Sequence, residues 1–197
     1  GANDWRVNSV LSISAYYLGE TKEAHRRAEL AVPGLPKGEQ AWNAMGVLGI
    51  FAEARMAQIR RAERGKKTWP GQWLTDVHAA FGVLSKHPLG TSTQVVAHYD
   101  FLRGLAAHGQ ASHILDAGLK RFPDSALLHD RLRGRTLSKS GPKGLEAVYS
   151  SMLAKESVPK NLYWFAGYAS IVAAEFYRRA GETERALAAY SRAIVQY

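Results

Sequence analysis

The chain of 197 residues contains no cysteine. That one absence removes disulfides, thiolate zinc sites and thiol nucleophiles, and it fits a reducing and an oxidising compartment equally. Long apolar runs are missing too. Crossing a bilayer takes roughly 18 to 20 apolar residues, and the most apolar stretch, Ala44 to Ala54, is short and ends in charges. No transmembrane segment is expected. The opening residues Gly1-Ala2-Asn3-Asp4 lack the basic and apolar regions of a signal peptide, as a processed chain also would. The expectation is therefore a soluble protein, cytoplasmic or exported after processing.

Acidic residues are few: 17 Asp and Glu stand against 26 Lys and Arg, for a net charge of +9. Such an excess attracts acidic partners, anionic surfaces or nucleic acid at long range, yet basic proteins that bind none of these are common. Signatures of chemistry are missing as well. No GxxxxGK[ST], GxGxxG or GxSxG occurs, so phosphate-loop, dinucleotide and hydrolase readings have no anchor. The seven histidines include no HExxH pair. Asp76 with His78, and His98 with Asp100, are two apart, which on a helix points them in different directions. His98, His108 and His113 can converge only with help from tertiary structure. No catalytic residue, metal or cofactor is expected.

What is present is helical periodicity, written most clearly at the end of the chain. Residues 166 to 197 read as two helices joined at Gly181, with Ala173, Ala174, Ala186, Ala189 and Ala193 where two helices approach closely. Tyr177, Leu187, Tyr190 and Ile194 supply bulk at helical spacing. The beginning repeats the theme. A helix from Trp5 to Leu18 ends at Gly19, a residue that enters the left-handed conformation cheaply, and Gly19-Glu20-Thr21 is matched by Gly181-Glu182-Thr183. Pro33 to Gly38 breaks the chain. A long helix then runs from about Glu39 to Arg64, its wide apolar face carrying Trp42, Met45, Leu48, Phe51, Ala52, Met56 and Ile59. Thr68 to Trp73 and His87 to Gly90 are further breaks, Gly109 and Ser140-Gly141-Pro142 read as turns, and Thr91-Ser92-Thr93 offers a cap. Trp69 and Trp73 are read as locking their loop to the neighbouring helix.

The terminal hairpin closely resembles a tetratricopeptide (TPR) repeat, which places small residues at its eighth and twentieth positions, an aromatic at the eleventh and Ala near the twenty-seventh. Ala174, Ala186, Tyr177 and Ala193 occupy those positions. Lys120-Arg121-Phe122-Pro123 resembles the TPR exit, with its proline. The resemblance implies an all-α, right-handed superhelical solenoid of about five antiparallel helix pairs. The whole chain, 1–197, is expected to form one TPR-like domain, a segment of a longer chain. Residues 1–90 are expected to be irregular, and residues 91–197 to lie closer to the repeat.

The resemblance also implies a concave groove lined by the first helix of each pair. Carried onto this chain, it nominates Tyr16, Tyr17, Asp100, Arg103, Tyr168, Glu175, Arg178 and Arg179 as partner-binding residues. Arg pairs with carboxylates and Tyr supplies rigid contact area, so the expected function is non-catalytic: a protein-interaction scaffold that holds a partner peptide or helix, an acidic one included. The chaperone-tail subfamily is disfavoured, because Ile13, Asp100, Gly134 and Glu175 stand where its carboxylate clamp needs Asn. A second expectation concerns nucleic acid or another anionic polymer, bound through the basic patch of Arg55, Arg60, Arg61, Arg64, Lys66 and Lys67. Self-association through the terminal helices is a third.

Overall fold

The computed structural model describes residues 4–35 and 44–197. Among them the regular structure is entirely helical, with nine α-helices and a short 3-10 turn at Val32–Gly34. The chain divides into two compact units, Gly1–Phe101 and Leu102–Tyr197. The division falls inside a helix rather than at the Pro88–Gly90 break.

In the first unit, α1 (Trp5–Tyr17) and α2 (Thr21–Ala31) form a hairpin over the short connection at residues 18–20. Asp4 caps α1, its carboxylate accepting from the Arg6 amide at 2.8 Å, which satisfies one of the amides that a helix start leaves without a partner. Ala24, Ala28 and Ala31 are buried and let the two backbones approach. The Ser12 hydroxyl donates to the Ala24 carbonyl at 2.8 Å inside the contact. Next come α3 (Met45–Arg64) and α4 (Gly71–Leu84), packed together, with α3 also against α2. The apolar face read from sequence on α3 is the core: Leu48, Phe51, Ala52, Met56 and Ile59 are all buried. The expected start of this helix at Glu39, and Trp42 with it, lie outside the described residues. In α5 (Ser92–Gly104) the predicted cap is Thr91, whose amide donates to the Gln94 side chain at 3.1 Å, one half of a capping box.

The second unit holds α6 (His108–Arg121), α7 (Ala126–Leu153), α8 (Leu162–Arg179) and α9 (Thr183–Gln196). The α7 run is two helical segments meeting at Gly141, whose φ of 63° and ψ of −169° are not helical. The predicted turn is thus present, with Pro142 opening the second segment. Helix α8 packs on α7 and α9, and the predicted alanine seam is buried at Ala173, Ala174, Ala186, Ala189 and Ala193. Of the bulky residues at helical spacing, Tyr177 is buried, whereas Leu187 and Ile194 lie on the outer face. They are 61% and 78% exposed, because the alanine face of α9 turns toward α8 and its bulky positions project outward.

One backbone turn recurs. At Gly19 the amide donates to the carbonyl three residues back, and the next amide to the carbonyl five back: Gly19 to Tyr16, Glu20 to Ala15. The same pair of bonds forms at Lys66, Ala106 and Gly181, and all four residues have positive φ, between 51° and 78°. These are Schellman-type helix ends. The turn expected at Gly109 is therefore made by Ala106, and Gly109 sits in the first turn of α6.

Candidate functional site

Helix α3 spends part of its surface on something other than core. Gly46, Gly49, Glu53, Met56 and Arg60 follow one another at three- and four-residue steps, so they lie on one stripe of the helix. That stripe forms the floor of a groove of about 720 Å3 in the first unit, with Ile13, Tyr16 and Tyr17 from α1 and Thr93, Ala97 and Asp100 from α5. The small residues make the room. A side chain at Gly49 would meet nothing within 4 Å, whereas one at Gly46 would come within 3.2 Å of the Ile13 side chain. Tyr16 and Tyr17 meet edge to face, with ring centroids 6.3 Å apart, and Tyr17 is 84% exposed. Arg60 holds its guanidinium 5.5 Å from the Phe101 ring centroid.

Under the groove a histidine pair joins α4 and α5. His98 Nε2 and His78 Nδ1 are 3.1 Å apart, and the His98 ring stacks on Phe81, itself a groove residue, at 4.6 Å. Burial, and secondarily the neighbouring His78, hold His98 down to about 4, so it is neutral at physiological pH. The pairs weighed in the sequence do not form the site: Asp76 binds Arg55 and His78 binds His98. Among the described residues no three His, Asp or Glu side chains come together as a metal site.

The predicted partner-binding residues separate by unit. Tyr16, Tyr17 and Asp100 share the groove of the first unit. Arg103 belongs to the second, where it lines a polar cleft with residues of α6 and α7. Tyr168 on α8 is stacked on Trp164 at 6.0 Å and carries the Arg133 guanidinium 4.5 Å from its ring centroid. Glu175 accepts from Arg178 at 2.8 Å and from the Tyr190 hydroxyl, and these two donors hold its carboxyl down to about 2. Arg178 therefore already has an anion, while Arg179 stands exposed beside it.

The basic patch needs a correction at Arg55. Its side chain is only 18% exposed and binds Glu29 of α2 and Asp76 of α4, with Gln58 alongside at 2.8 Å. It ties three helices together. Arg60 faces the groove, which leaves Arg61, Arg64, Lys66 and Lys67 as the exposed cations at the end of α3. Here Trp69 donates to Glu63 at 2.6 Å, so the loop is fastened to the helix as the sequence suggested.

Glu53 and the Gly46/Gly49 gap were missed in the sequence, and Arg60, read there as part of the basic patch, lines the groove. The three-and-four spacing was the available signal, masked by the wide apolar face read on the same helix. No protein-family model matches the chain, and no curated protein and no solved structure matches it.

Proposed function

We propose that the chain is a non-catalytic, TPR-like helical-repeat module that binds a partner peptide or helix in the groove of its first unit. The observation that carries this reading is the exposed Tyr16–Tyr17 pair at the rim of an apolar groove whose floor is opened by Gly46 and Gly49. Exposed aromatic rings offer large contact area at small entropic cost, and anchors of this kind dominate peptide affinity. The recurrent Schellman-type turn, at irregular spacing, supports a repeat architecture and the solenoid it implies. Glu53 is an acidic residue of the lining, its side chain 47% exposed. The ligand chemistry that fits is thus an apolar side chain next to a lysine or arginine, in place of the acidic partner that Arg103, Arg178 and Arg179 suggested.

Selection of peptides from a random display library on the full chain tests the reading. The expected winners combine an aromatic or branched apolar residue with a basic one, and lose about tenfold in affinity on Tyr17→Ala and again on Glu53→Gln. Binders indifferent to both substitutions would sink it.

The exposed cations Arg61, Arg64, Lys66 and Lys67 support a second reading, the binding of an anionic polymer at the end of α3. It requires an affinity that falls steeply with salt and is lost on Arg61→Gln/Arg64→Gln. Self-association through α9 has its own support in the exposed Leu187, Ile194 and Val195.

A further inference from the structure

The second unit contains a cleft of about 710 Å3 with a chemistry opposite to that of the groove. Arg103 from the end of α5, His108 and Asp116 from α6, and Arg135 and Lys139 from the first segment of α7 supply its charged and titratable side chains. Hydroxyls of Ser112, Thr136, Ser138 and Ser140 fill the spaces between them, and Val148 is the one aliphatic residue of the lining. The volume is that of a small-molecule site, and apart from Val148 and Gly109 every lining side chain carries a charged, imidazole or hydroxyl group.

Two of the cations are held in place. Arg135 donates through Nη2 to Asp116 Oδ1 at 2.8 Å and through Nη1 to the Ser112 carbonyl at 3.3 Å, so its planar fork is fixed before any ligand arrives. Arg103 Nη1 lies 3.3 Å from His108 Nδ1. A guanidinium can only donate; His108 therefore accepts at Nδ1, and its own proton sits on Nε2, where it is one more donor. Lys139 and Arg103 have no carboxylate partner among the described residues. Three permanent cations thus face one carboxylate, and that carboxylate is already spent on Arg135.

We propose that this cleft binds a small hydrophilic phosphate ester. The inference does not rest on the peptide-binding reading, since it concerns a different unit and different residues. A phosphate rather than a single carboxylate is selected by two features. The excess of cations matches the charge of about −1.5 to −2 that a phosphate monoester carries at neutral pH. The many Arg, Lys and hydroxyl donors match its three acceptor oxygens, and Arg forks bind such groups through paired hydrogen bonds. The serine and threonine hydroxyls, which both donate and accept, suit a polar, hydroxyl-bearing remainder of the ligand.

The test is an amide-resolved NMR titration of the full chain with inorganic phosphate, pyrophosphate, glycerol phosphate and citrate, with ionic strength held constant by chloride. Saturable shifts at Gly109, Ser112, Ser138 and Lys139 are expected. Arg103→Gln and Lys139→Gln should each weaken binding about tenfold, and Arg61→Gln/Arg64→Gln should leave it unchanged. Arg103 and Lys139 are exposed, so both variants keep the fold, which the spectra verify directly. The proposal is overturned by shifts that follow chloride alone, by shifts concentrated at residues 61–67, by binding that survives both cleft substitutions, or by citrate binding at the same residues more tightly than pyrophosphate.

Discussion

Four residues end helices in the same left-handed conformation, and only two of them are glycine. Gly19 and Gly181 reach it without steric cost, and a side chain at either would meet no atom within 4 Å. Replacing either by alanine should therefore cost only the backbone penalty, about 1 kcal/mol. Ala106 and Lys66 already carry that penalty. Ala106→Gly is expected to raise stability by about 0.5 kcal/mol, since the relief of positive φ exceeds the entropy that glycine adds to the unfolded chain. Urea denaturation of the three single variants checks both signs. The glycine turns were legible in the sequence because glycine is the residue that makes positive φ cheap. The Ala106 turn was not, because nothing in an alanine announces it, and the glycine at position 109 offered a more obvious place.

At the scale of the element, α7 separates two uses of glycine within one helical run. Gly134 lies in its first segment with open space where a side chain would stand. Gly144 sits just past the break at Gly141, and a methyl group there would stand 2.2 Å from Ser140 Cβ. Gly134→Ala should then stabilise the second unit by about 0.5–1 kcal/mol through helix propensity, and Gly144→Ala should destabilise it by about 1–3 kcal/mol through overpacking of the corner. Thermal melts of the two variants should move in opposite directions. Helix α3 shows the converse limit of pattern reading. A wide apolar face says that the helix is largely covered, but the face alone does not divide into the portion that meets α2 and α4 and the portion that floors a groove. That division needs Tyr16, Tyr17 and the α5 residues in place.

Across the whole molecule, each unit keeps one buried histidine neutral. His98 in the first is held down to about 4 by burial and then by His78. His129 in the second is lowered mainly by burial, although its bond to the Pro123 carbonyl opposes the shift. It also stacks on Phe165 and bonds the Tyr149 hydroxyl at 3.0 Å. In the unfolded chain both return to the ordinary value near 6.5. The unfolded state then binds more protons, so the stability these residues contribute is complete above pH 6.5 and is lost as the pH falls below it, toward about 4 in the case of His98. For His98 the loss amounts to about 3 kcal/mol at most. Glu23 and Glu175, both held down to about 2 by arginine partners, act in a separate window: their contribution is present above pH 4.5 and disappears as the pH falls toward 2. Chemical denaturation at pH 7.5, 5.5 and 4.5 should show a stability decline that begins well above the carboxylate range, and His98→Phe should flatten it between pH 6.5 and 4.5. A curve flat down to pH 4.5 in the unsubstituted chain would contradict the neutral-histidine assignment.

Residue order alone was enough for the helical class, most of the helix ends, and the alanine seam of α8–α9. These follow from local rules: periodicity of 3.6 residues, capping side chains, and the steric privilege of glycine. It assigned Tyr16, Tyr17 and Asp100 to one groove with Arg103, Tyr168, Glu175, Arg178 and Arg179, and of these eight the first three line the groove of the first unit. What each charge is for emerged only with the helices packed. Arg55 reads in the sequence as a member of a basic patch and is in fact the tie between α2, α3 and α4; Arg178 reads as a partner's anchor and is already bound to Glu175; Arg103 and Lys139 gave no local sign of a common cleft. Local pattern can specify a backbone because its rules act over a few residues, whereas the work of a charge depends on which opposite charge lies within about 4 Å of it, and that distance is set by the packing of helices far apart in the chain.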